Sequence, residues 1–380
     1  MPLGLMLWYW GRSGAGPRYT LELARALKAV DGVTLSLCVS AQSDLAEEFR
    51  ALAVPTLEID TYTSVTECLC NSLTLPWLRR RFADFIQSNS VDVVDSTMTH
   101  LWSRLVAPVV RKSGAKLLCT VHDATLHPGE NGPLKTWFYQ PLPNADAYVV
   151  LTNAVAGRLA DVHGIARARI TVVPLGSLAY SASRAPPAPV GGPLRILFIG
   201  RILPYKGLDR LVDACTLLRA SGRELQLTIA GTGSIAPAVM SKARELGARI
   251  ENRWIADAEF GEFLQAADVV ALPYVEASQS GVIPAAFAAG VTVVATPIGG
   301  LMEQVRNGED GLVTDDTGVP SITRALRALA DDRALLARLK AGAGVRARQE
   351  LAWPPIAARL TDLARALMAK PPATAAAGAP

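Results

Sequence analysis

Cysteine is scarce in this chain: five among 380 residues, at positions 38, 68, 70, 119 and 215, an odd number without a paired CxxC. That excludes a disulfide-stapled framework and a cysteine zinc site. Cys38 and Cys119, set in apolar runs, are expected as buried thiols of a reducing compartment. An Asp-x-Asp triplet is missing too, which removes one common metal-binding pattern. Neither sign of charge dominates: 38 Lys and Arg stand against 34 Asp and Glu, a net charge of +4, so bulk electrostatics lend nucleic-acid binding no support. No uninterrupted apolar run reads as a membrane-spanning helix. The amino-terminal MPLGLMLWYWG is short, has no basic region before it, and reads as a first strand instead of a signal peptide.

What the chain does contain is hydrophobic residues, at 50% of the total, in a length beyond which one core seldom keeps growing. Two α/β domains are expected, spanning 1–180 and 194–350. Short apolar runs at Leu3–Trp10, Val33–Val39, Pro55–Ile59, Val91–Asp95, Lys116–Val121, Ala147–Leu151 and Ile170–Val173 alternate with helical stretches, as in a doubly wound parallel sheet. SASRAPPAPVGGP, residues 181–193, carries no hydrophobic periodicity and reads as a linker. The alternation then restarts at Arg195–Ile199. Ser321–Gln349 reads as terminal helix. Residues 351–370 are expected to form a last helix packing back on the first domain, and 371–380 a disordered tail.

The stretch Leu272–Glu303 organises the second domain. It has no charge between Glu276 and Glu303, yet Pro273, Pro284 and Gly290 divide it into loop, helix, stop and a buried strand, followed by a second glycine loop at Gly299-Gly300. Loops at the carboxyl ends of parallel strands face the ligand crevice, and a helix start offers N–H groups to an anion. GRILPYKGLDRLVDA adds Arg201 and Lys206 beside another such start, an arrangement suited to a diphosphate.

In GRILPYKGLDRLVDA, LTIAGTGS and ALPYVEASQSGVIPAAFAAGVTVVATPIGGLMEQVRNGEDGLV, with weaker support from GAGPRYTLELARAL and TVHDA, the chain resembles the family 4 retaining glycosyltransferases. These have the GT-B fold, two Rossmann-like domains facing across a cleft. The resemblance implies that Arg201 and Lys206 neutralise a leaving diphosphate. It places His122 near the reacting sugar, Gly14 and Gly16 in a loop approaching the diphosphate or acceptor, and Gly231 and the backbone of Ser280, Gly281 and Val282 at the donor. Trp254 and Ile255 are candidates for the base pocket. No metal and no cofactor are implied, the nucleotide-diphosphate sugar being the donor substrate.

The family's two glutamates, separated by seven residues, fall here on Ala277 and Ala285. Glu276, one residue earlier, is a candidate substitute for the first; the second has no replacement. GTGSIA also mimics a dinucleotide fingerprint, but it follows the second strand of its domain, which argues against a dehydrogenase. Trp77-Leu78-Arg79-Arg80-Arg81-Phe82 reads equally as a solvated helix face and as a membrane-facing helix. The activity implied is transfer of a hexose from a UDP- or GDP-sugar to a saccharide or polyprenyl-linked saccharide. A bacterial exopolysaccharide or envelope-glycan role would place it in the cytoplasm or at the inner face of the membrane. A GT-B sugar phosphorylase and a catalytically silent nucleotide-sugar binding protein stay open as alternatives.

Overall fold

The computed structural model describes residues 2–126, 132, 136–137, 140–180 and 192–369. The tail expected at 371–380, and all but the last two residues of the expected linker, lie outside them.

The first domain holds a seven-stranded sheet: β1 (Leu3–Tyr9), β2 (Val33–Ser40), β3 (Thr56–Ile59), β4 (Val93–Ser96), β5 (Lys116–Val121), β6 (Ala147–Val150) and β7 (Ile170–Val172), in the order β3-β2-β1-β4-β5-β6-β7. The second holds six: β8 (Leu194–Ile199), β9 (Leu225–Gly231), β10 (Arg249–Asn252), β11 (Val269–Leu272), β12 (Thr292–Ala295) and β13 (Gly311–Val313), ordered β10-β9-β8-β11-β12-β13. Both sheets are parallel throughout. Helices cover both faces, which is why every residue of β1, β4, β11 and β12 is buried and why these strands read as continuous apolar runs. Together they form the GT-B fold.

Each sheet reverses its strand order once, between β1 and β4 and between β8 and β11. Loops leaving the carboxyl ends of those strands open a crevice in each domain. The helix Ala15–Lys28 follows β1, burying Tyr19, Leu23 and Leu27 at four-residue spacing and ending on Arg25 and Lys28, whose charges suit a helix carboxyl end. Two details differ from the sequence reading. Ser321–Gln349 is two helices, Val319–Asp331 and Arg333–Gln349, because Asp332 leaves helical geometry and its carboxylate accepts the Leu335 N–H at 2.8 Å, capping the second. β13 is an added strand, three residues long and preceded by a glycine turn.

The helix Trp353–Ala369 lies against Ala15–Lys28 in the first domain. Trp353 anchors it, donating its indole N–H to the Ser177 carbonyl at 2.8 Å and meeting Tyr19 edge-on. No helix among the described residues is long and apolar enough to cross a membrane.

Candidate active site

A cavity of about 300 Å³ lies between the two crevices, with Gly14, Ala15, Asp123 and Tyr180 on the first domain's side and Arg201, Lys206 and Gly281 among those on the second. Glycines set its shape. Gly14, at φ 85°, turns the chain from β1 into the helix Ala15–Lys28 and leaves that helix start without a side-chain cap. Gly231, at φ 141°, lets the ends of β8 and β9 close up; a Cβ there would collide with the Gly200 carbonyl oxygen. Gly16 is placed differently from Gly14. It is buried, off the cavity wall, where a Cβ would crowd the Tyr9 hydroxyl and the Met98 sulfur.

Arg201 and Lys206 both reach the cavity wall from the loop after β8. Arg201 is exposed. Lys206 ends a short 3-10 turn, Pro204–Lys206, closed by Gly207 at φ 65°. Its ammonium donates to the Tyr274 hydroxyl at 3.0 Å and stands 4.7 Å from the centre of that ring. A phenol and an aromatic face steady the ammonium without neutralising it, so its charge stays available to an anion.

The loop between β11 and the helix Val282–Ala288 supplies the opposite wall. Gly281 and Val282 line the cavity, and so does Ser280. The Ser280 backbone, however, is already engaged: its N–H goes to the Gln304 side-chain oxygen at 2.7 Å, and its carbonyl accepts from the Gln304 amide at 3.1 Å. Ser280 Oγ in turn accepts the Val282 N–H at 3.3 Å. These bonds fix the loop's path while occupying Ser280's main-chain groups. Gln279 lines the same wall, and its buried side-chain oxygen has no hydrogen-bond partner among the described residues.

Two predicted residues lie behind the wall. Glu276 pairs with Arg158 of the helix Asn153–His163 in the other domain at 2.7 Å, and Arg158 also reaches Ser278 Oγ at 3.1 Å. Ala277 and Ala285 are both buried. His122 sets Nε2 2.9 Å from the Thr97 carbonyl oxygen and meets Tyr19 edge-on at 5.0 Å. Burial pulls its pKa below the ordinary histidine value, which favours a neutral ring donating Nε2–H to that carbonyl. The next residue, Asp123, reaches the cavity.

Trp254 and Ile255 follow β10 and also line the cavity, the indole more than half exposed and the isoleucine buried. Sequence reasoning passed over their neighbours: Asp257, ion-paired across the cleft with Arg18, and Phe260, tilted against Tyr180 with centroids 4.6 Å apart. Arg18 and Asp257 are 239 positions apart, so no local pattern joins them.

The model for "Glycosyltransferase Family 4" matches residues 16–176, and that for "Glycosyl transferases group 1" matches residues 193–332. A D-inositol 3-phosphate glycosyltransferase of Nocardia farcinica is 34% identical over 217 residues, 53% of this chain and 48% of that protein. A 2-deoxystreptamine glucosyltransferase of Streptomyces kanamyceticus is 29% identical over 310 residues, 73% of this chain and 75% of that protein. The chain spans about half the length of several of the curated relatives it matches. An Anabaena protein solved in complex with UDP-glucose shares the fold at a TM-score of 0.68 and 16% identity, covering 95% of this chain and 99% of that one. The two family models fall on one sheet each, on either side of the segment between them, and the chain belongs to the family 4 glycosyltransferases.

Proposed function

We propose that this protein transfers a hexose, with retention of anomeric configuration, from a UDP- or GDP-sugar to a saccharide or lipid-linked saccharide. The observation that carries this reading is the joint placement of Arg201, Lys206, Gly14 and Gly281 around one cavity. The Anabaena protein's UDP-glucose and the sugar-transferring names of the relatives support a nucleotide-sugar donor.

In this mechanism the donor diphosphate lies against Arg201 and Lys206, with the bare start of the helix Ala15–Lys28 facing it from the other domain. Charge grows on the β-phosphate oxygen as the glycosidic bond breaks. Fixed cations therefore act most strongly in the transition state, and no divalent ion is required of them. The departing phosphate accepts the acceptor's hydroxyl proton on the face it leaves. Trp254 and Ile255 border the base. Bacterial exopolysaccharide or envelope-glycan synthesis, at the inner face of the membrane, is the setting we favour.

The test is a thermal-shift panel with UDP, GDP, ADP and dTDP, with and without EDTA, followed by a transfer assay with the sugar nucleotide of the base that binds. A ligand selective for the folded state raises the melting temperature. The expected result is an EDTA-insensitive shift with one nucleotide, and a kcat about 100-fold lower in Arg201→Ala. Full activity in that variant would remove the diphosphate role. A second reading, nucleotide-sugar binding without transfer, is favoured by Ala277, Ala285 and the Arg158-bound Glu276. Donor binding with neither hydrolysis nor transfer would select it.

A further inference from the structure

We propose that the face formed by the helices Val65–Ser72 and Leu75–Ser88 docks on an anionic lipid bilayer. Leu73, Val65 and Leu69 are the three most exposed large hydrophobic side chains among the described residues, at 83%, 79% and 68%, and Trp77 stands at 60%. They recur every fourth position, so that successive members within a helix share one face. The first helix buries none of its residues. Single exposed leucines are ordinary, but a run of four such side chains ending in tryptophan is an apolar patch that calls for a covering.

Charge selects the covering. Arg79, Arg80 and Arg81 follow Trp77 directly, and the Arg81 guanidinium stands 4.5 Å from the Trp77 ring. Leu78, Phe82 and Ile86 fasten the second helix to the core, leaving Trp77 and Arg80 outward. Glu67 is turned back onto Thr63, whose N–H and hydroxyl both donate to it, which blunts its repulsion of an anion. A second copy meeting this face about a two-fold axis would bring two triple-arginine runs together. An anionic headgroup layer takes the arginines, while its acyl boundary takes the tryptophan and leucines. This docking does not depend on the sugar-nucleotide reading.

The experiment is co-sedimentation of the full chain with phosphatidylcholine vesicles, with and without phosphatidylglycerol, at low and high ionic strength. The expected result is binding to the phosphatidylglycerol vesicles that weakens with salt, and little binding to phosphatidylcholine alone. Arg79→Gln/Arg80→Gln should weaken binding roughly 30-fold, about fivefold for each charge. Leu69→Ser/Leu73→Ser should weaken it at least about tenfold. Both variants change exposed or partly exposed side chains and should keep the wild-type melting temperature and nucleotide shift, which separates lost docking from lost folding or donor binding. Absence of wild-type binding to either vesicle, or equal binding by the variants, would overturn the proposal. So would a wild-type dimer in size exclusion that Leu69→Ser/Leu73→Ser converts to monomer.

Discussion

Arg158 governs what Glu276 can do. A carboxylate held at 2.7 Å by a guanidinium, and outside the cavity lining, has the task in this geometry of tying the loop after β11 to the first domain. Glu276→Gln keeps a hydrogen-bond acceptor for Arg158, so kcat should stay within about threefold of wild type, beside the far larger loss expected for Arg201→Ala. A loss as large as that of Arg201→Ala would put Glu276 back at the sugar. Asp95 supports a prediction of another kind. It is fully buried at the end of β4, with one oxygen accepting from Thr120 at 3.0 Å and the other unpartnered among the described residues; burial pushes its pKa up to about 7. Since the folded value exceeds the unfolded one, its favourable contribution is complete below about pH 4 and is lost as pH rises towards 7. Asp95→Asn removes that loss, so its stability advantage over wild type should grow by up to about 4 kcal/mol across this range in urea unfolding. His100 works in the opposite direction. Buried and held neutral, its pKa is pulled down to about 4, and it costs stability as pH falls below the ordinary histidine value. The two slopes offset one another in the wild type, and the variant should expose the histidine's.

At the scale of elements, the loop 279–281 is held by one side chain. Gln304, from the short helix Leu301–Gln304 after β12, satisfies both main-chain groups of Ser280. Gln304→Ala should free the loop and weaken nucleotide-sugar binding about tenfold in a titration, while costing about 1–2 kcal/mol of stability. Unchanged affinity would show that the loop keeps its path without the clamp. The strands were legible because two-sided burial writes them as apolar runs, and the cations because Arg201 follows a glycine at a strand end and Lys206 precedes one at a helix start. Gln304 was not, since an amide in a helix of four residues carries no periodic signal. Nor was the break at Asp332, where an acidic residue inside an apparent helix becomes a cap only through its own backbone geometry. The position of Glu276 depended on a partner 118 residues away, and Arg158 looks from sequence like any exposed helix arginine.

Across the whole molecule, the domains share one buried apolar cluster, and most of the polar contacts that join them are concentrated on one helix. The Glu303 carboxylate accepts the N–H groups of Asn153 and Ala154 at 2.6 and 2.8 Å, capping the helix Asn153–His163 from the other domain. Thr152 donates its hydroxyl to the Ser278 carbonyl at 3.0 Å, and Arg158 reaches Glu276 from one turn further on. On the opposite side of the cavity, Arg18 and Asp257 make a second tie. A carboxylate at a helix start contributes about 0.3–1 kcal/mol and a partly exposed ion pair about 0–1, so these ties bias closure without locking it. That is the range in which a bound donor, contacting both walls, can decide the equilibrium. Glu303→Ala/Arg158→Ala should therefore show a larger radius of gyration than wild type in small-angle scattering without nucleotide, and return to the wild-type value when the nucleotide that binds is saturating. High salt should expand the wild type in the same direction, because screening weakens the same contacts. If the variant and the wild type scatter identically without nucleotide, burial around Trp353 and Tyr19, and not the polar ties, holds the domains together.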